Sequence, residues 1–423
     1  MNVDVHAGDK ALRVGTLRFN ARGNKEAVAF EYDDAWLSDN RSFAIDPLLP
    51  LQSGPVYRTR PKDRAHASVF FGVIADAEPD GWGRQIIRRD WAKQKEAGPA
   101  ETPSGITDHL NSLDYLLCVN DISRVGALRF CVAGGDFLRA ADPGERNAPP
   151  LLELNDLIKA SQRVETDDAT AADLRYLRGK GTSLGGLRPK ASVMDEDGTM
   201  AIAKFPSVQD DRDVTRGEIL ALRLARLAGV QTSNARVALA GDTPVALITR
   251  FDRVPEGRLM FASAMTMLGI DDDDDHTYTE IADAIRMNAA SPAADLEELW
   301  RRMVFSVLVT NTDDHLKNHG FLHVDLGQWR LSPAYDINPT PDKARELKTW
   351  ISEEAGPEAS IDAALSAAPY FGISAVRAKE IAADVEAAVS RWRDVGAELG
   401  MSRADLEKFE PAFEHQERAK ARS

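Results

Sequence analysis

Two cysteines in 423 residues, Cys118 and Cys131, are too few to staple a fold of this size, and their spacing has no metal-ligand pattern. They read as buried or indifferent thiols. Long apolar runs are also missing: the longest stretches, such as Met303 to Val309, fall far short of the roughly 20 residues that span a bilayer. The opening Met1-Asn2-Val3-Asp4 lacks the basic-then-apolar pattern of a signal peptide, so a cytoplasmic chain with no membrane association is expected. Cations are in the minority, 52 Lys+Arg against 67 Asp+Glu, for a net charge of −15. Binding a polyanion over a whole surface needs clustered cations, so any basic site has to be local. What is present, 43% hydrophobic and 28% charged residues, is the composition of an ordinary folded chain, and at roughly 150 residues per domain the length corresponds to two or three domains.

Along the chain, Arg13 to Phe19 and Ala27 to Tyr32 read as paired strands around the turn-prone Arg22-Gly23-Asn24. Phe70 to Asp90 begins apolar, passes through Pro79-Asp80-Gly81 and continues as an arginine-rich helix that Asp80 can cap. Punctuation at Ala97 to Gly105 marks a boundary, and Gly134 to Pro150 reads as a long surface loop. A helix follows over about 151–163. Two strands, Lys190 to Met194 and Met200 to Phe205, flank the hairpin turn Asp195-Glu196-Asp197-Gly198, and Glu218 to Leu227 has helical spacing. The remainder is mainly helical: Leu296, Leu299, Trp300, Met303, Val304, Val307 and Leu308 form one buried stripe ending just before Asn311. A late helix spans about 375–399, and the polar tail from Glu414 is expected to fray. The expected units are 1–105, 106–250 and 251–423.

The strongest chemical signal is Asn311-Thr312-Asp313-Asp314-His315-Leu316-Lys317-Asn318, followed by Ser332-Pro333-Ala334-Tyr335-Asp336-Ile337-Asn338. So many polar groups directly after a buried helix are implausible as core. Asp313 and Asn318 stand five apart, the spacing of catalytic aspartate and metal-binding asparagine in the protein-kinase loop H-R-D-L-x-x-x-N. Phosphoryl transfer needs a carboxylate that orients and deprotonates the acceptor hydroxyl, and oxygen ligands that hold magnesium against the nucleotide's phosphates. Asp313 fits the first need, Asn318 and Asp336 the second, and Lys317 can neutralise charge on the transferred group.

The run Gly181 to Lys190 has neither Walker nor G-x-G-x-x-G spacing, and taken alone glycines before a hairpin are a turn. Its context adds weight. The hairpin ends in Ala203-Lys204-Phe205-Pro206 and Glu218 sits near the start of the next helix, and kinases hold nucleotide phosphates with a strand lysine oriented by a helix glutamate.

Ser183 to Lys190, the Ala-Lys-Phe-Pro strand end, Thr249-Arg250-Phe251-Asp252-Arg253, the Asn311 to Asn318 loop and Ala334-Tyr335-Asp336 resemble, in order and spacing, the HipA family of bacterial serine/threonine kinases, the toxins of type II toxin–antitoxin modules. The apolar Phe70-Phe71 segment before a helix is similar to that family's N-terminal subdomain, so the resemblance covers nearly the whole chain. It implies an α+β, two-lobed protein-kinase-like fold with an additional N-terminal α/β subdomain and a mainly helical C-lobe. It implies ATP and Mg²⁺ as cofactors, with nucleotide contacts from Gly185, Gly186, Leu187, Arg188, Pro189 and Lys190, from Lys204 with Glu218, from Thr249, Arg250 and Phe251, and from His315 and Tyr335. Asp313 with Lys317 is then catalytic, Asn318 and Asp336 bind the metal, and Ser183 is the autophosphorylated serine whose modification pushes the loop out and inactivates the kinase. Thr249 stands where some members carry an acidic residue, so adenine recognition there rests on backbone groups. The implied partners are a helix-turn-helix, HipB-like antitoxin, with DNA bound only through it, and a protein substrate in the translation machinery such as an aminoacyl-tRNA synthetase. A small-molecule kinase of the same architecture, or a nucleotide-binding corepressor, would share these residues.

Other features read as structural. The run Asp271 to Asp275 is a solvated loop, since consecutive carboxylates diverge and repel. His315 and His319, four apart, lack the glutamate of a zinc motif, and His315 is expected to buttress the catalytic loop. Trp82, Trp91, Arg84, Arg88 and Arg89 read as a packed domain interface or, less simply, a partner surface.

Overall fold

A computed structural model describes all residues except 11, 24, 63, 65–66, 99–101, 133–134, 139–147, 180–185, 272–274, 342–343 and 423. In the N-terminal unit, strands β1 (Asn2–Ala7), β2 (Leu12–Arg22), β3 (Lys25–Tyr32), β4 (Val56–Thr59) and β5 (Leu128–Cys131) form an antiparallel sheet in the order β4-β3-β2-β1-β5. Alternation decides its inner face: Val3 and Val5 of β1 and Leu17 and Phe19 of β2 are buried, while Arg18 and Asn20 point outward. Phe70, Phe71, Val73 and Ile74 pack with this face in one core. Gly15 is required where β2 meets β3, because a Cβ there would lie 2.3 Å from the Glu31 carbonyl oxygen. The sheet runs past the boundary expected at 105: β5 is its edge strand and pairs Asp4 with Cys131.

Asp80 caps the helix Gly81–Ala97 by accepting a hydrogen bond from the Gly83 amide at 2.7 Å. Trp82 and Ile86 of that helix enter a second core together with Leu157, Leu174, Val193 and Phe205. Of the tryptophan and arginine patch, Trp82 is thus packed in a core, while Trp91, Arg84 and Arg89 are half-buried and Arg88 is exposed. This second core backs the sheet β6-β7-β9-β8, formed by β6 (Lys190–Met194), β7 (Met200–Lys204), β8 (Ala235–Ala240) and β9 (Thr243–Thr249). The helix Val214–Leu227 packs on it and begins four residues before Glu218, because Asp213 caps it through the Arg216 amide at 2.8 Å. Glu218 thus sits in the second turn, buried.

A short ribbon, β10 (Arg253–Val254) and β11 (Gly257–Arg258), leads into a mainly helical lobe that also carries the sheet β12 (Phe261–Ser263), β13 (Gly320–Asp325) and β14 (Gln328–Leu331). Its central helix, Pro292–Val309, is buried along nearly its whole C-terminal half. The expected single late helix is two, Ala375–Val389 and Trp392–Glu398. Between them the Ser390 hydroxyl bonds the Ala387 carbonyl at 2.7 Å, and Trp392 turns inward to stack on Phe413, centroids 4.8 Å apart. The tail does not fray: Glu417–Ala421 is helical, and Arg418 is buried against Glu386 at 2.8 Å.

The N-terminal unit is locked to both lobes. Asp252 accepts the Gly126 amide at 2.7 Å and both Arg250 and Arg253, whose guanidinium groups also reach the carbonyls of Ile122, Ser123 and Arg124. Burial pushes the Asp252 carboxyl up, but the two arginines prevail and hold it at about 2. On the helical lobe, Asp76 receives the Ser263 amide at 2.7 Å and the Ser263 and Thr266 hydroxyls at 2.8 Å, and Phe43 stacks on His323 with centroids 3.7 Å apart.

Candidate active site

The helix Pro292–Val309 ends when Thr310 turns into the left-handed region, φ +54°, and bonds its hydroxyl to the Ala412 carbonyl at 2.9 Å. That stop sets the direction of the loop that follows. Asn311 is buried and its side-chain oxygen accepts the Asn338 amide at 3.1 Å, so the two polar segments are tied at their base. Asp314 points inward to the Tyr278 and Ser306 hydroxyls and lies 3.3 Å from His319. Burial opposes its charge, but His319 and these hydrogen bonds hold its carboxyl below the usual range. Asp313, next in the chain, is exposed. The loop's far end is closed by Asn318, whose amide nitrogen donates to the Asp313 carbonyl at 3.1 Å, and by Tyr335, whose hydroxyl donates to the Lys317 carbonyl at 2.6 Å.

Asp336 is also left-handed, φ +55°, a conformation uncommon outside glycine that aspartate and asparagine adopt more readily than other side chains. Its Oδ1 accepts Lys204 at 2.5 Å and the side-chain Nδ2 of Asn338 at 3.1 Å. Lys204 donates in addition to Glu218 at 2.6 Å. Burial works against charge on all three. For Lys204 the two carboxylates win and raise its pKa; for Asp336 the lysines Lys204 and Lys190 win and lower it; for Glu218 burial prevails and raises it.

These groups face a cleft of about 550 Å³ whose wall includes Gly186, Lys204, Thr249, Phe251, His315, Lys317, Asn318, Tyr335 and Asp336. Ile202, Ile248, Phe251 and Tyr335 give it an apolar side, the last two with rings 5.3 Å apart, suited to a planar base. Asp313, Glu218 and, of the expected nucleotide contacts in the glycine-rich segment, Leu187, Arg188, Pro189 and Lys190 are not among the cleft-lining residues; Glu218 acts on Lys204 from behind. Of the glycine-rich segment, Ser183 and Gly185 lie outside the described residues. Leu187 is 78% exposed, Arg188 forks onto Asp210 at 2.8 and 2.5 Å, and the Pro189 carbonyl accepts the Phe205 amide at 3.0 Å. The Arg188 guanidinium is thus engaged with Asp210, and that of Arg250 is buried in the Asp252 network, which leaves their backbones for any ligand contact. His315 is half-buried on the cleft wall and its amide bonds the Asp313 carbonyl at 2.9 Å, within the loop it was expected to buttress.

Three acidic residues that the sequence reading did not place here also line the cleft: Asp76, Glu78 and Asp80 of the N-terminal unit. Burial raises the pKa of each; Lys317 is among the charges that oppose this at Asp76 and Glu78, and Lys190 opposes it at Asp80. The clue was available in Asp80, read only as a helix cap.

For a divalent cation the donor set is Asp336, kept ionised, and the amide oxygen of Asn318, whose nitrogen is already used. An all-oxygen set of this kind suits Mg²⁺. A strand lysine gripped by a helix glutamate, a carboxylate on a left-handed turn, and an Asp-Asn loop beside an apolar slot are the parts of a kinase.

Comparison with known proteins agrees. The HipA N-terminal domain matches residues 3–102 and the HipA-like C-terminal domain residues 182–392. Two relatives from Sinorhizobium fredii are named "Putative kinase Y4mE", 23% identical over 77% of this chain and 76% of its own length, and "Putative kinase Y4dM", 30% identical over 37% of this chain and 45% of its own. The fold is shared with a chain from the complex of Shewanella oneidensis HipA, HipB and operator DNA: TM-score 0.66, 16% identity, 99% of this chain and 96% of that one covered. The chain belongs to the HipA family and is a kinase of that family.

Proposed function

We propose that this kinase is an ATP- and Mg²⁺-dependent serine/threonine protein kinase serving as the toxin of a type II toxin–antitoxin module. The observation that carries the reading is Lys204 suspended between Glu218 and Asp336, which sets a buried cation against a carboxylate suited to a metal. The backbone of 185–190 covers the phosphates, Lys190 and Lys204 hold them, and backbone groups of Thr249 to Phe251 receive the adenine. Asp313, exposed, takes the proton of an incoming serine or threonine hydroxyl, and Lys317 offsets charge on the transferred group. Asn318 and Asp336 hold magnesium, which supplies charge neutralisation at the β- and γ-phosphates when bound.

The Shewanella complex contains HipB and operator DNA, which supports a helix-turn-helix antitoxin here. With a net charge of −15, DNA contact belongs to that basic partner. The acceptor is a protein of the translation machinery, an aminoacyl-tRNA synthetase foremost, and Ser183 is the autophosphorylation site. The test is incubation of the purified chain with γ-labelled ATP, Mg²⁺ and host lysate. Label is expected in a translation protein and, by mass spectrometry, on Ser183; label confined to small molecules would replace the protein-kinase reading.

A further inference from the structure

Lys190 and Lys204 are direct cross-strand partners at the end of the β6–β7 hairpin, so both side chains leave the same face of the sheet. Like charges so placed repel, and each lysine needs its own counter-ion. Lys204 finds Glu218 and Asp336 within the kinase lobes. Lys190, only 3% exposed, meets Asp80 at 3.2 Å, and Asp80 comes from the N-terminal unit, 110 residues earlier.

Asp80 divides its two oxygens between two tasks. Oδ1 caps the helix Gly81–Ala97 through the Gly83 amide and Oδ2 takes the lysine. One residue on, the Trp82 amide donates to the Gly186 carbonyl at 3.2 Å, and a Cβ on Gly81 would fall 2.4 Å from Leu187 Cδ2. The first turn of this helix therefore grips the described end of the glycine-rich segment through backbone and side chain together. Trp82 and Ile86 anchor the turn in the core behind the sheet.

We propose that Asp80, which lines the cleft, is a positioning residue for Lys190: it fixes the buried ammonium beside the cleft wall, so the lysine pair that serves the phosphates is complete only with the N-terminal unit docked. Lys190 already acts on Asp336 through its charge. With Asp80 neutralised, Lys190 loses this counter-ion, and repulsion from Lys204 turns its ammonium away from its place beside the cleft wall. This rests on the nucleotide-binding reading of the cleft.

The experiment titrates a fluorescent, non-hydrolysable ATP analogue into wild type, Asp80→Asn, Lys190→Met and the double variant, and records thermal unfolding of each. Asparagine keeps the helix cap, but D80N takes this carboxylate from the buried Lys190 and is expected to melt below wild type, so binding is compared at a temperature below every variant's transition. D80N should weaken analogue binding about thirtyfold, the low end of the scale of a lost buried charge partner. Lys190→Met should weaken it similarly, and the double variant should be no worse than Lys190→Met alone. Wild-type or tighter binding by D80N, or effects that multiply in the double variant, would overturn the assignment while leaving the nucleotide site standing. A wild-type chain that binds no analogue would remove the nucleotide reading and this inference with it.

Discussion

Asp313 and Asp314 are adjacent in the chain and face opposite environments: Asp313 is exposed at the loop surface, while Asp314 is buried against the hydroxyls of Tyr278 and Ser306. Substitutions at the two should therefore fail differently. Asp313→Asn is expected to unfold within about 0.5 kcal/mol of wild type, as surface changes do, and to lose about 10² to 10⁴ in phosphotransfer rate. Asp314→Ala leaves the Tyr278 and Ser306 hydroxyls buried without their acceptor and His319 without its neighbouring carboxylate, and should lose about 2 to 3 kcal/mol of stability. Urea denaturation beside an initial-rate assay separates the two.

Lys204→Met leaves Glu218 and Asp336 facing one another without their shared cation. A buried pair broken from one side costs about 3 to 5 kcal/mol, and this one should fall at the low end because Asp336 is partly open to water. The sign with pH follows. Lys204 lowers the Asp336 pKa, so its contribution is present above the unfolded carboxylate value and fades as acid protonates Asp336. The stability gap between wild type and the variant should accordingly narrow on acidification, read by denaturation at a series of pH values.

Two half-buried histidines predict an acid limit. Burial holds His323 and His415 at about 4, below the 6.5 of a free imidazole. His323 Nε2 accepts the Gly327 amide at 3.1 Å while its ring stacks on Phe43, so protonation breaks a hydrogen bond of the helical lobe directly beside the stack that joins it to the N-terminal unit. For bases with depressed values, the stabilisation is whole above pH 6.5 and is lost as pH falls through 4. The loss should be on the order of 1 to 2 kcal/mol per histidine after solvent screening. His323→Phe, which keeps the stack, should flatten that part of the profile in circular dichroism melts.

An acidic chain whose cations are largely paired should bind duplex DNA weakly near physiological salt. Gel-shift of the isolated protein is expected to show no complex at micromolar concentration, the range of non-specific binding, and tight binding without a partner would contradict the division of labour proposed.

Much of the site was legible because its parts are local in sequence. Asp313 to Asn318 lies in one loop, the buried stripe of Pro292–Val309 shows where that loop starts, and Lys204 closes a hairpin whose turn is marked by Asp195 to Gly198. What escaped is long-range. Nothing near Asp80 announces Lys190, and nothing in Arg188 or Arg250 tells that Asp210 and Asp252 engage their guanidinium groups. The late helix misread has the same cause: apolar spacing continues through Ser390 and Arg391, and the break appears only because Trp392 stacks on Phe413. Buried Arg418 made an ordered helix of a tail whose composition suggests fraying.

The most direct test of the central claim is transfer of label from γ-labelled ATP by the wild type and by Asp336→Asn, at matched folding and with Mg²⁺ present or chelated. Incorporation by the wild type that EDTA abolishes is expected, with none above background from Asp336→Asn assayed below its own, lower melting transition, since loss of the Lys204 pairing costs stability. Equal labelling by the two proteins, or labelling indifferent to EDTA, would contradict it.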